Sequence, residues 1–91
     1  MSETTFAIDL SQYVETRLFD DRPHIKGRRI PIYVIAHAAT EPGYGIPELM
    51  YDFDLTEAQA LAALLYYVEH KEVIEAQEAA IDAEYRHFYE D

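Results

Sequence analysis

The chain has 91 residues, which is enough for one hydrophobic core and too few for two. Its 18 acidic and 7 basic side chains give a formal net charge of −11, which argues against a general binder of nucleic acids or anionic membranes. Because 49% of the residues are hydrophobic, the composition indicates a folded domain, and the absence of cysteine excludes disulfides and thiolate zinc sites. The start of the chain lacks signal-peptide features and no stretch is apolar enough to span a membrane, so we expect a cytoplasmic protein.

The first third of the chain has the composition of β-structure. Residues 12–19 alternate loosely between polar side chains and β-branched or aromatic ones, which predicts a strand. After a turn, a second short strand is predicted from His24, bent at Gly27 because glycine reaches positive φ most freely. Pro31 cannot donate to a ladder, so pairing should end there. Residues 12–31 are thus predicted to form a β-hairpin with a basic loop.

The rest of the chain is predicted to be helical. A first helix should cover about residues 32–41, and a short second helix capped by Gly45 should end near Asp52. A capping-box sequence beginning at Thr56 predicts a third helix that continues toward His70. Three such helices with a short middle member have the outline of a helix-turn-helix.

A fourth helix, separate from the third or continuous with it, is predicted within residues 71–91. It has an acidic face opposite an apolar stripe formed by Ile74, Ile81, Tyr85 and Phe88. The predicted fold class is therefore mainly α: one domain with a helix-turn-helix-like three-helix core over residues 32–70, a short N-terminal β-hairpin and a long C-terminal helix.

Three stretches of the chain resemble one protein family. Residues 22–32 (RPHIKGRRIPI) are similar to the Lys-Pro-x-Ile-x-Gly-Thr-Arg-Ile-Pro-Val stretch of the prokaryotic DUF433 family. Residues 43–49 (GYGIPEL) are similar to its Gly-x-x-x-x-Glu-Leu segment, and residues 55–66 contain its Leu-Thr and Ala-Leu-x-Tyr pieces. The resemblance extends over roughly residues 12–75. Arg22 replaces the usual Gly-Lys before the proline and Arg28 replaces the usual threonine, and both changes add positive charge.

What the resemblance implies is an antitoxin-like protein with a helix-turn-helix core, often encoded beside a toxin of the PIN-like nuclease type. The expected function is accordingly a small dimer that binds and neutralises such a toxin. The alternative is a DNA-binding transcriptional regulator that acts through a dimeric helix-turn-helix or through the basic loop.

The sequence offers no residue set for catalysis. Its only serines, Ser2 and Ser11, have no neighbouring histidine, and no two histidines are four residues apart as a helical metal site requires. The carboxylates are spread along helix faces, which is typical of a solvated surface. We therefore expect no enzymatic activity, no bound metal and no cofactor.

Five of the seven basic residues lie within residues 17–29, where the local net charge is +3. Three of them, Lys26, Arg28 and Arg29, could bind an anion or nucleic acid. For Arg29 we favour a structural role, in which it pairs with an acid such as Asp52 or Asp54 and fixes the hairpin against the helices. Lys26 and Arg28 either bind an anion or an acidic protein, or contribute only to solubility. The sequence favours neither alternative.

The third helix does not resemble a helix that reads a major groove. Its first turn offers Glu57 and no basic side chain, so we expect weak DNA binding at most. Apolar side chains occupy two opposite faces of this helix, one with Leu61, Leu65 and Val68 and the other with Ala60, Ala63, Leu64 and Tyr67. We expect the fourth helix or a second subunit to cover the face with Ala60, Ala63, Leu64 and Tyr67.

Two further expectations concern assembly. The short, exposed strand at residues 12–19 predicts a homodimer with the hairpin in or near its interface. The stripe on the fourth helix, formed by Ile74, Ile81, Tyr85 and Phe88, either binds the basic cleft of a partner or packs on the third helix. The residues leave both alternatives open.

Overall fold

The computed structural model describes residues 9–16 and 22–89, with side chains as far as Arg86. It confirms a mainly helical fold with a short antiparallel hairpin at the N-terminal side and a long C-terminal helix. In chain order the elements are β1 (Val14–Glu15), β2 (His24–Ile25), α1 (Ile32–Ala38), α2 (Ile46–Phe53), α3 (Glu57–Glu69) and α4 (Lys71–Tyr89).

The hairpin is shorter than the pattern of residues 12–19 predicts. Val14 lies opposite Ile25 and Glu15 lies opposite His24, and the pairing of β1 extends no further within the described residues. The chain before β1 forms a single 3-10 turn at Leu10–Gln12 instead of extended strand. This turn is favoured locally because the Asp9 carboxylate caps it. The predicted positions 17–19 lie outside the described residues.

A tight turn connects β2 to α1. Gly27 has a φ of 78°, as its predicted role at the bend requires, and the Ile25 N–H donates back to the Ile30 carbonyl over 3.0 Å. The pairing ends at Pro31, as expected: Pro31 lies opposite His24 in an isolated bridge, and α1 begins at the next residue. The bridge needs no donor from proline, because the Ile32 N–H donates to the Pro23 carbonyl over 2.9 Å.

The helix boundaries follow local capping chemistry. The Thr56 hydroxyl accepts from the Gln59 N–H over 3.1 Å and the Gln59 side chain accepts from the Thr56 N–H over 2.8 Å, which confirms the predicted capping box of α3. At α2 the Glu48 carboxylate accepts from the Gly45 N–H over 2.7 Å. Asp54, with a φ of 55°, ends α2 in the left-handed conformation.

The core takes at least one buried side chain from almost every element. Helices α1, α2 and α3 contact one another and form the expected three-helix core, on which the hairpin packs. The largest fully buried apolar side chains are Ile25 of β2, Ile32 and Ile35 of α1, Leu49 of α2 and Ile74 of α4. The hairpin and the first turn of α4 are therefore integral parts of this core.

Helix α4 is separate from α3. His70 ends α3 with φ −125° and ψ 27°, and its ring stacks on Tyr66 with the centroids 4.0 Å apart. After Glu78 every described side chain of α4 is exposed. The radius of gyration is 15.0 Å, whereas a compact chain of this length would have roughly 12 Å. The C-terminal half of α4 thus projects from the body of the protein.

Candidate partner-binding surfaces

The apolar stripe on α4 divides into a buried and an exposed part. Ile74 is 1% exposed and belongs to the core, whereas Ile81 is 42% and Tyr85 is 64% exposed. Phe88 continues the stripe along the helix, but its side chain lies outside the described residues. The two alternatives for this stripe therefore apply to different residues: Ile74 is core, and Ile81 and Tyr85 are at the surface. We call residues 79–86 the arm.

The acidic face of α4 is partly used within the chain. Both oxygens of the Glu78 carboxylate accept from the Arg22 guanidinium, from Nη2 over 2.6 Å and from Nε at close range. The Glu75 carboxylate accepts from the Tyr67 hydroxyl over 2.6 Å. These contacts tie the N-terminal half of α4 to the hairpin and to α3, so that this half offers fewer free acids to a partner than the sequence indicates.

Two tyrosine hydroxyls donate to carboxylates at the surface. The hydrogen bond to Glu75 is the main cause that raises the pKa of Tyr67 to about 12. Tyr44 donates to Asp52 over 2.5 Å, and this bond is the main cause that raises the pKa of Tyr44 to about 12. In both cases the ionised phenolate would face a negative charge and lose the hydrogen bond.

The basic loop is organised by Arg28, and our expectation that Arg29 pairs with Asp52 or Asp54 is wrong. The Arg28 guanidinium donates to the backbone carbonyls of Phe53 and Asp54, each over 2.8 Å. Arg29 is exposed and forms no side-chain hydrogen bond or ion pair with a described residue. The turn at Gly27 directs Arg28, and not its neighbour, toward the end of α2.

Only part of the basic cluster is therefore available to an anion. Lys26 and Arg29 are exposed, Arg28 is half-buried against α2, and Arg22 is engaged with Glu78. Arg17 lies outside the described residues. Of the three proposed anion-binding residues, the structure brings Lys26 and Arg29 to the surface of one turn and assigns Arg28 a packing role.

Beneath this loop lies a polar contact that the sequence did not reveal. His24 is fully buried, and its Nδ1 lies 3.0 Å from the Arg22 carbonyl, which can only accept, so Nδ1 donates to it. Its Nε2 lies 3.4 Å from a Glu15 carboxylate oxygen, which accepts from the Gly27 N–H over 3.2 Å. Through this hydrogen bond the Glu15 carboxylate joins β1 to the turn. Only the antiparallel register of the hairpin brings these groups together.

Helix α3 buries one of its two apolar faces. Ala60 and Ala63 are fully buried in the core, and Leu64 and Tyr67 pack against it. On the opposite side Leu61 is 45% and Val68 is 70% exposed. Helix α4 meets α3 on the side of Tyr67, through the contact with Glu75, and therefore on the face that we expected the fourth helix or a second subunit to cover.

Within the described residues no group of three or more histidine, aspartate or glutamate side chains is arranged to hold a metal ion. None of the helices in that part of the chain is long and apolar enough to cross a membrane. The described residues offer three candidate surfaces: the arm, the exposed side chains of Lys26 and Arg29, and the outer side of α3.

Comparison with known proteins identifies one family. A family model described as "Protein of unknown function (DUF433)" matches residues 17–67, which include the hairpin turn, α1, α2 and most of α3. No curated protein and no solved structure matches the chain. The matched region ends before α4, so the arm lies outside it.

Proposed function

The chain belongs to the DUF433 family, and on this basis we propose that it is an antitoxin-like protein-interaction module that binds and neutralises a PIN-like nuclease toxin. The observation that carries this proposal is the arm. All side chains of residues 79–86 are exposed, although Ile81 and Tyr85 are large and lie on one face of the helix. Binding to a partner would remove these two side chains from water.

The charges of the arm favour a basic partner. Residues 79–86 contain two acids and one arginine, a net side-chain charge of −1, and residues 87–91 add two more acids, Glu90 and Asp91. A nuclease that handles RNA needs a positively charged cleft, and acids beside an apolar stripe would complement it. An amphipathic helix laid into a groove is a recurrent mode of peptide recognition.

The anchoring of α4 also supports this role. Ile74 in the core and the bidentate contact between Arg22 and Glu78 hold the helix on the body just before the arm begins. A helix that is ordered before binding loses less conformational entropy on association than a disordered tail. The arm would therefore bind as a preformed element.

The alternative function, DNA-binding regulation, has one supporting observation. Lys26 and Arg29 are both exposed in the turn before α1 and could contact phosphates. Against it, α3 begins with Glu57 and its outer side is apolar, so this helix has no basic side chain with which to read base edges. We therefore rank this function second.

The test measures the ribonuclease activity of a PIN-like toxin from the same genome at increasing concentrations of the full chain. Wild-type protein should inhibit, and a variant combining Ile81→Glu with Tyr85→Ala should need at least tenfold more protein. Tyr51→Ala is the matched control, because it removes an even more exposed tyrosine from α2. Inhibition by the arm variant at wild-type concentrations would contradict the role of the arm, and a lack of inhibition by wild type would contradict the antitoxin function.

A further inference from the structure

The outer side of α3 is a second exposed apolar surface, distinct from the arm. We call it the α3 face and define it by the four residues that follow one another at helical spacing: Ala58, Leu61, Leu65 and Val68. Leu61 and Val68 are largely exposed and Leu65 is half-buried, whereas Ala60 and Ala63 on the other side of the helix are fully buried. No described part of the chain covers this face.

The α3 face has no charge, in a protein that is otherwise strongly acidic. Residues 58–68 contain no acidic or basic side chain, although the formal net charge of the chain is −11. Two copies of such a chain repel each other wherever their acids meet. An uncharged helix with an exposed apolar side is where two copies can approach with the least repulsion.

We propose that the α3 face is covered by the same face of a second copy, with the two α3 helices packed antiparallel about a two-fold axis near residues 64 and 65. Such an interface is self-complementary, because each copy contributes the same surface. Leu61 of one copy then contacts Val68 of the other, and the two Leu65 side chains meet beside the axis. The apolar area exposed on each copy is buried by the other.

The direction of the two helices also favours this arrangement. When the two α3 helices are antiparallel, the positive amino end of each lies beside the negative carboxyl end of the other, so that the helix dipoles attract each other. A parallel arrangement would instead place like ends together and bring Glu57 of one copy next to Glu57 of the other.

This interface differs from the one expected from the sequence, which involved the hairpin. It is also independent of the arm, since the Tyr67–Glu75 contact joins α4 to a different side of α3. Residues 58–68 have no acidic side chains with which to bind a basic nuclease cleft. Packing against a second copy requires no acidic side chains there. The arm and the α3 face can therefore be occupied at the same time.

Disulfide trapping tests the arrangement directly, because the wild-type chain has no cysteine. A disulfide requires Cα atoms about 4.4–6.8 Å apart, a separation reached only by residues that face each other across packed helices. Leu65→Cys should give a cross-linked dimer under mild oxidation. Leu61→Cys alone should not, since its two copies lie about 10 Å apart along the axis. A mixture of Leu61→Cys and Val68→Cys should give the mixed dimer.

Tyr51→Cys is the control for random collision, because it introduces a thiol on α2 at a position that is more exposed than any of the three on α3. Light scattering should give the mass of a dimer for wild type and for Tyr51→Glu, and the mass of a monomer for Val68→Glu, with circular dichroism confirming that all three are folded. A wild-type monomer across the micromolar range would overturn the proposal. The proposal would also be overturned if Val68→Glu were a dimer, or if two copies of Leu61→Cys formed a disulfide in preference to the mixed dimer with Val68→Cys.

Discussion

The Arg28 guanidinium donates from Nη1 to the backbone carbonyl of Asp54 over 2.8 Å, and from Nη2 to the carbonyl of Phe53 over the same distance. These carbonyls lie at the C-terminal end of α2, where the helix itself supplies no donors and the helix dipole is negative. One side chain thus satisfies two acceptors with a positive charge and fixes the turn before α1 against α2.

Replacing Arg28 by alanine should lower the free energy of unfolding by about 1–3 kcal/mol, because two carbonyls lose a charged donor. Arg28→Lys should recover little of this loss, since an ammonium cannot present two donors in a fixed fork. Arg29→Ala is the matched control and should change stability by no more than about 0.5 kcal/mol. Urea denaturation of the three variants measures the difference, and equal losses at both arginines would contradict the assignment.

The two isoleucines of the α4 stripe should respond differently to truncation. Ile74→Ala leaves a cavity in the core and should cost about 2–5 kcal/mol, whereas Ile81→Ala at the surface should cost about 0.5 kcal/mol or less. A chain ending at Ala79 should keep its fold by circular dichroism, and a chain ending at His70 should not. Similar urea midpoints for the two alanine variants would show that the stripe is not divided.

The contact between Arg22 and Glu78 should show energetic coupling. A double-mutant cycle with alanine at both positions should give a coupling free energy of about 1–3 kcal/mol, since the pair is bidentate and largely shielded from water. The pair Asp82–Arg86 on the arm is the control: its side chains are about two-thirds exposed, and its coupling should be about 0.3–0.5 kcal/mol. If both pairs gave the same small value, Arg22 would not anchor α4.

Three of the eight tyrosines should ionise late: hydrogen bonds to carboxylates raise the pKa values of Tyr44 and Tyr67, and burial raises the pKa of Tyr66. The pKa values of Tyr44 and Tyr67 are raised from 10.0 to about 12, so their contacts stabilise the fold fully below pH 10 and lose this effect as the pH rises through 12. A titration followed by phenolate absorbance should therefore have a delayed component. Glu75→Gln should move the Tyr67 part of it to lower pH, and Tyr67→Phe should remove that part. A single transition near pH 10 in the wild type would contradict both contacts.

Duplex DNA should bind weakly at physiological salt. The turn has two exposed cations, so each copy can contact about two phosphates. Because about 0.9 counterions are released for each phosphate contacted, a plot of log affinity against log salt concentration should fall with a slope no steeper than about −2 per copy. Replacing Lys26 and Arg29 together by alanine should abolish the remaining binding without loss of stability. A steep slope, or specific binding that survives this replacement, would favour the regulatory function over the antitoxin one.

The parts of this protein that can be read from the sequence are those that depend on residues close together in the chain. The Thr56–Gln59 capping box, the positive φ of Gly27 and the ends of α2 and α3 involve partners within a few positions, so their chemistry is decided before the chain folds. The spacing of apolar residues predicted the helices for the same reason. It also predicted the stripe on α4, although not how far along the helix the core extends.

Contacts between distant residues were decided only by the tertiary structure. Arg28 and Arg29 are chemically alike and adjacent, and which of them reaches α2 depends on the geometry of the turn at Gly27 and on how α2 packs beneath it. Glu78 looks like any other acid on a solvated face until the fold brings Arg22, 56 positions away, within reach. The same holds for Ile74 and Ile81: their spacing places them on one side of α4, but only the limited extent of the three-helix core buries the first and leaves the second in water.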